Sequence, residues 1–319
     1  MVKNQGFFLN NYIYCMKIGL LIIGLFALHQ LQSQPQVMVL GTTQDAGSPQ
    51  IGCTKDCCKD LFNKPDLNRQ VVALGVFDPT TSSSYLFEAT PNISQQLRFL
   101  KDQYGSAKDL PKGIFITHAH IGHYTGLMQL GREAMNAQSL PVYVMPKLKG
   151  FLEANGPWSQ LVQQKNIAIQ SLVDHTPIEL SAQLSVTPIL VPHRDEYSET
   201  VGYIIKGPSK QLLFIPDIDK WEKWSQNINS LIEMVDYALI DATFFDAAEI
   251  NNRPISEIPH PFVTESMERF KFMSIKDKQK IHFIHFNHTN PLLNLKSVAS
   301  EKVIKAGFNI AQRGQRFVL

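Results

Sequence analysis

Cysteine is scarce in this chain of 319 residues: there are four, and three of them crowd into the stretch GCTKDCC as Cys53, Cys57 and Cys58. Charge of one sign is scarce as well, since 30 basic residues nearly balance 28 acidic ones and leave a formal net charge of +2 with no basic block. Nucleic-acid binding usually rests on a clustered positive field, so nucleic acid is not an expected partner. No apolar run reaches the roughly 20 residues a bilayer-spanning helix requires. Repeats, low-complexity tracts and a composition break that would mark a linker are also missing, which leaves one large domain as the default organisation.

The N-terminus differs from the rest. MKIGLLIIGLFALHQLQSQ, starting at Met16, places one lysine before an eleven-residue apolar run from Ile18 to Leu28 and a polar exit ending at the small residue Ser33. That pattern reads as a secretory signal peptide over residues 1–33, with Met16 a candidate true start, and it predicts an exported, periplasmic protein with no stable membrane span after cleavage. The remaining domain is then 34–319. Loss of Cys15 with the leader leaves three cysteines, an odd number and a hazard for an oxidising compartment unless a metal holds them as thiolates. A disulfide with one spare thiol is the alternative.

What is present is a hydrophobic fraction of 44%, enough for a sizeable core, arranged as short β-rich runs alternating with helical stretches. QVMVLGTT, SSYLFEAT, GIFITHAH, PVYVMP, VTPILVPH, VGYIIKG, QLLFIPD, YALIDAT and IHFIHFNH predict strands. NISQQLRFLKDQY, YTGLMQLGREAMN, KLKGFLEANGPWSQLVQQ and VTESMERFKFM predict helices covering the sheets from outside. Polar residues repeatedly end the apolar runs: His118 and His120 after GIFIT, His193 after VTPILVP, Asp217 after LLFIP, Asp241 after YALI and His285 after IHFI. Imidazoles and carboxylates gathered at one sheet edge suit zinc or iron. His118 and His120, two residues apart, project to the same side, and His123 follows about a helical turn later. His175 and His282 are isolated and read as ordinary surface or core residues.

The ordered set LGTTQDAGSPQIGC, YLFEATP, THAHIGHYTGL, VPHRDEYSETVGY, FIPDID, LIDATFF, IPHPFVTES and IHFNHTNP resembles the metallo-β-lactamase fold superfamily, and within it the branch of pyrroloquinoline quinone biosynthesis protein B and its relatives. The resemblance implies an αββα sandwich of two mixed sheets with helices outside. It implies a first metal site of His118, His120 and His193, a bridging carboxylate at Asp217, and a second site containing His123 and His285. The family's usual motif is H-x-H-x-D-H, and here Gly122 stands where the acid belongs, which puts the second metal in question. Asp241 and Glu88 occupy positions that resemble acids supporting the ligating imidazoles. Relatives with an N-terminal cysteine cluster imply a structural zinc held by Cys53, Cys57, Cys58 and His288. A rival use of His288 is to replace the acid missing at position 122. His260, in IPHPFV, aligns with a histidine near the leaving group in related ribonucleases and phosphodiesterases, so it is either a general acid or a buried structural residue.

The expected activity is that of a metallo-hydrolase acting on an ester, phosphodiester or lactam-like small molecule, with Asp217 and His260 catalytic, zinc as the metal, and iron or manganese possible in the active site. An iron-dependent oxidase or hydroxylase related to quinone-cofactor synthesis, and a non-catalytic metal-containing binding protein, are the alternatives. PHRDEYSET and FFDAAEINNRPISEIPH are the loops expected to set the substrate.

Overall fold

A computed structural model describes residues 34–105, 108–250 and 254–319; the expected leader at 1–33 lies outside them. Strands β1 (Gln36–Gly41), β2 (Ala73–Asp78), β3 (Ser83–Phe87), β4 (Gly113–Phe115), β5 (Leu140–Val144) and β6 (Ile167–Ser171) build one sheet. Strands β7 (Ile178–Ser181), β8 (Leu184–Leu190), β9 (Val201–Lys206), β10 (Gln211–Ile215), β11 (Tyr237–Asp241), β12 (Ile281–Ile284) and β13 (Asn309–Ile310) build the other, and β14 (Arg316–Val318) returns to pair with β1. The orders are β14-β1-β2-β3-β4-β5-β6 and β13-β12-β11-β10-β9-β8-β7, each with parallel and antiparallel pairs, as expected for two mixed sheets.

Successive side chains of a strand point to opposite faces, and here both faces are apolar because each sheet is covered twice. Along β1, Val37 and Val39 enter the layer between the sheets while Met38 and Leu40 face the outer helices. Along β10, Leu212 and Phe214 face inward and Leu213 and Ile215 outward. The inter-sheet layer carries stacked Phe87, Phe115 and Tyr143 with ring centroids 4.8 and 4.3 Å apart, and Tyr203 meets Phe87 and Phe115 edge-on. No helix among the described residues is long and apolar enough to cross a membrane.

Two helical expectations change. YTGLMQLGREAMN forms only a 3-10 turn over Thr125–Leu130 and then loops, because its backbone is strapped to the exit of β3: Gly126 N–H donates to the Ala89 carbonyl, and a Cβ on Gly126 would lie 2.1 Å from the Thr90 carbonyl oxygen. The expected helix KLKGFLEANGPWSQLVQQ splits into Pro146–Ala154 and Trp158–Gln163 around Asn155-Gly156-Pro157, where proline cannot continue the backbone ladder. Strands β2, β6, β7, β13 and β14 had no counterpart among the expected runs.

Candidate metal centre

Loops leaving both sheets converge at one edge of the sandwich. After β4 the chain runs extended to His120, then turns into the short helix Ile121–Tyr124 that contains His123. The segment is pinned before it bends: the Tyr203 hydroxyl donates to the Ile116 carbonyl at 2.6 Å, Val201 N–H to the Thr117 carbonyl at 3.1 Å, and Ala119 N–H to Ser198 Oγ at 2.8 Å. His193 and Asp217 follow β8 and β10, Asp241 ends β11, and His285 follows β12. Glu88 and His285 hold φ of 76° and 70°, a left-handed conformation that side chains rarely adopt and that gathers at functional sites.

His118, His120, His193 and Asp217 bring one ligand atom each within 4.8 Å of one another. His118 Nε2 lies 2.8 Å from His120 Nδ1 and 3.3 Å from Asp217 Oδ2, and His193 Nε2 is 3.2 Å from Asp217 Oδ1. A second group shares Asp217 and adds His123, His285 and Asp45. Asp45 Oδ1 is 2.9 Å from His123 Nε2 and 3.2 Å from His285 Nε2, while Asp217 Oδ2 is 3.9 Å from each of those nitrogens. Ligands about 2.1 Å from an ion stand roughly 3.0 Å apart in an octahedron and about 3.4 Å apart in a tetrahedron, so these separations match a shared coordination shell. His193 Nε2 and Asp217 Oδ1, 3.2 Å apart, are both buried without a hydrogen-bond partner, which is costly unless a cation lies between them.

The opposite edges of the rings are held by protein. His118 Nδ1 meets Thr117 Oγ1 at 2.8 Å, His123 Nδ1 meets Glu88 Oε1 at 3.3 Å, His285 Nδ1 meets Thr243 Oγ1 at 2.8 Å, and His120 Nε2 meets Glu196 Oε2 at 3.1 Å. Such contacts fix which nitrogen faces the centre. Asp241 supports differently from Glu88: its Oδ1 accepts from the Thr243 N–H and hydroxyl at 2.8 and 2.7 Å, and its Oδ2 faces His260 Nδ1 at 2.8 Å. His260 Nδ1 is also 3.0 Å from Asp217 Oδ1. Burial would pull the His260 imidazole down, but the Asp241 and Asp217 carboxylates push it up to about 10. Burial would likewise raise Asp217 and Asp45, yet His193, His260 and His285 hold the first well below the usual carboxylate range, and His123 and His285 hold the second there.

Cys53, Cys57, Cys58 and His288 form a separate group. A tetrahedral zinc with bonds of about 2.3 Å to sulfur and 2.0 Å to nitrogen has sulfur–sulfur edges of about 3.8 Å and sulfur–nitrogen edges of about 3.5 Å. Here Cys57 Sγ is 4.0 Å from Cys53 Sγ and 3.8 Å from Cys58 Sγ, and His288 Nδ1 is 3.7, 3.5 and 3.5 Å from the three sulfurs in chain order. A disulfide needs about 2.05 Å, and all three thiols are free. Burial and the Cys58 and Cys53 sulfurs push the Cys57 thiol up to about 12, so it would ionise at neutral pH only with a cation among the sulfurs. The adjacent pair Cys57–Cys58 fits one tetrahedron because the chain turns tightly there, with Cys58 N–H bonded to the Lys55 carbonyl.

Every residue expected as a metal ligand, together with Asp241 and His260, is found in one of the clusters, Glu88 stands behind His123, and His288 sits with the cysteines rather than beside Gly122. His175, exposed and bonded to Gln226, and His282, buried against Phe317, stand apart. Sequence reasoning missed Asp45. Its only signal was an acid in the quoted stretch LGTTQDAGSPQIGC, with no spacing to the histidines 78 and 240 positions away.

Comparison with known proteins agrees with the two-sheet fold. Residues 83–286 match the family model described as beta-lactamase superfamily domain. Coenzyme PQQ synthesis protein B of Nitrosococcus oceani is 26% identical, covering 89% of this chain and 99% of that protein. Among solved structures, Zn(2+)-bound PqqB from Methylobacterium extorquens superposes with a TM-score of 0.73 at 20% identity, covering 89% of this chain and 100% of that one. A diphosphatase from the PhnP family gives 0.62 at 20% identity over 90% and 97% of the two chains.

Proposed function

Since the chain belongs to the beta-lactamase superfamily, we propose that it is an exported metallo-hydrolase with zinc in the active centre, a further structural zinc on the cysteines, and a small ester, phosphodiester or lactam-like substrate. The observation that carries this reading is one buried carboxylate, Asp217, common to two adjacent ligand groups drawn from both sheets. His118, His120 and His193 would hold one ion and His123 and His285 would help hold another. Metal in such a site polarises the scissile group and acidifies water, so nucleophile and electrophile are supplied together. Asp217 fixes the spacing of the two groups. His260 faces that carboxylate and is held through Nδ1 by Asp241, which leaves its Nε2 edge as the candidate donor to a leaving group. The segment Arg194–Glu199 borders His120 and forms part of the rim against which a substrate is oriented.

Elemental analysis of the mature protein, followed by hydrolysis assays on carboxylic esters, phosphodiesters and β-lactams after chelation and metal restoration, tests the reading. Turnover that disappears with metal and returns with it supports hydrolysis; a fully metallated protein inert across the panel removes it. The relationship to coenzyme PQQ synthesis protein B favours one second reading, oxidation or hydroxylation of a small precursor with iron at the same ligands. Oxygen uptake that depends on iron and is absent with zinc distinguishes it. Export is tested by the N-terminal sequence of the protein recovered from its native host, expected to begin just after Ser33.

A further inference from the structure

We infer that Asp45 is a ligand of the second metal and that Gly122 is the opening that admits it, so the acid expected within the histidine motif has moved to the loop after β1. This rests on the proposed metal centre but makes its own claim about which residues complete it. Both histidines concerned turn their Nδ1 atoms to protein supports, Glu88 for His123 and Thr243 for His285. Their Nε2 atoms face the centre, and Asp45 Oδ1 is on that side, within 3.2 Å of both. A residue that merely oriented the rings would meet the Nδ1 side, where His285 has Thr243 and His123 faces Glu88 at 3.3 Å. Without Asp45 the second group has two neutral imidazoles and a carboxylate shared with the first ion, and Asp45 supplies the one negative charge that belongs to this site alone.

The backbone explains the exchange. Thr43 bridges to Val71 and to Phe286; Gln44 N–H donates to the Phe286 carbonyl and Phe286 N–H to the Thr42 carbonyl, each at 2.8 Å. This ladder draws the β1 exit against the residue after His285 and delivers Asp45 to the centre. The path is open only because position 122 has no side chain: a Cβ there would lie 2.3 Å from Asp45 Cα and 2.7 Å from its Cβ. The nearer atom is backbone, so no rotamer change relieves the clash. An acid at 122 and Asp45 in this position exclude one another.

Zinc content by mass spectrometry and the affinity of each equivalent by competition with a chromophoric chelator test this on full-length mature protein. Wild type is expected to hold three equivalents. Asp45→Asn, nearly isosteric, should keep two and weaken the third by at least about tenfold, the scale of changes around metal ligands. Gly122→Ala, which alters no donor atom, should weaken the same equivalent, and combining the two should add little to either. Thermal unfolding confirms that each variant is folded, and the asparagine variant stands alone if the alanine one is not. An Asp45→Asn protein with three equivalents at wild-type affinity overturns the inference while leaving the metal centre intact. Wild type with two equivalents, only one of them in the active centre, overturns it as well. Wild type with metal on the cysteines alone overturns the proposed function itself.

Discussion

His260 shows how one side chain's surroundings define a role. Its Nδ1 is committed to Asp241 and stands 3.0 Å from Asp217 Oδ1, so only the other ring edge is left to meet a substrate. Replacing it with glutamine should lower kcat by roughly 10²- to 10⁴-fold, the range for loss of a positioned acid, while metal content stays at the wild-type value; a drop in metal content instead would make it a structural support. His282 makes the contrasting case. It is buried beside Phe317 with the Lys280 carbonyl as its partner, and burial lowers its pKa below the ordinary value of 6.5. The unfolded chain then binds the proton more readily, so this residue's contribution to stability is present above about pH 6.5 and is lost as pH falls below it. His282→Gln, which does not titrate, should flatten that acid limb in urea unfolding measured between about pH 5 and 7. Most residue identities at the centre were legible because they end recognisable apolar runs, while His123 was read from its spacing after His120 and His260 from the family resemblance. Asp45 was not, because its place depends on pairing with Phe286 across most of the chain, and no local pattern encodes that contact.

At the level of elements, most buried strands were readable from their apolar runs, though the interior strand β2 (ALGVFD) was not, and short edge strands were not either: β13 spans two residues and β14 three, too little for alternation to register. The 3-10 turn at Thr125–Leu130 was misread because its apolar spacing fits a helix, whereas the hydrogen bonds that strap it to Ala89 come from another element. The same kind of contact governs the histidine loop. Tyr203 on β9, in the second sheet, holds the Ile116 carbonyl of the first, two residues before His118. Tyr203→Phe keeps the ring packing against Phe87 and Phe115 but leaves that buried carbonyl without its side-chain donor. The expected cost is about 1–3 kcal/mol in denaturant unfolding, with weaker binding of the ion at His118 and His120 and an unchanged cysteine site. Equal weakening at both sites would mean that Tyr203 acts through the fold generally and not through this loop.

For the whole molecule, the two metal regions have a common layout. Asp45, His118, His120 and His123 come from the first sheet's loops and His193, Asp217 and His285 from the second's; Cys53, Cys57 and Cys58 leave β1 and His288 follows β12. An ion held at any of these sites would therefore fasten one sheet to the other at the same edge, in addition to the apolar layer between them. An ion that binds only the folded state stabilises it by about 2.7 kcal/mol when present at 100 times its Kd. For a domain of this size each kcal/mol moves Tm by roughly 2–4 °C, so stripping a single such site should lower Tm by about 5–10 °C. Chelation of the wild type should exceed that figure because more than one site empties. Cys58→Ser, which removes one sulfur from the structural group, should start from a lower Tm and show a smaller further drop on chelation. Scanning calorimetry of both proteins with and without chelator separates the contributions: if the serine variant loses as many degrees as the wild type, the cysteine group is not one of the fastenings, and the sheets are joined at this edge by the active centre alone.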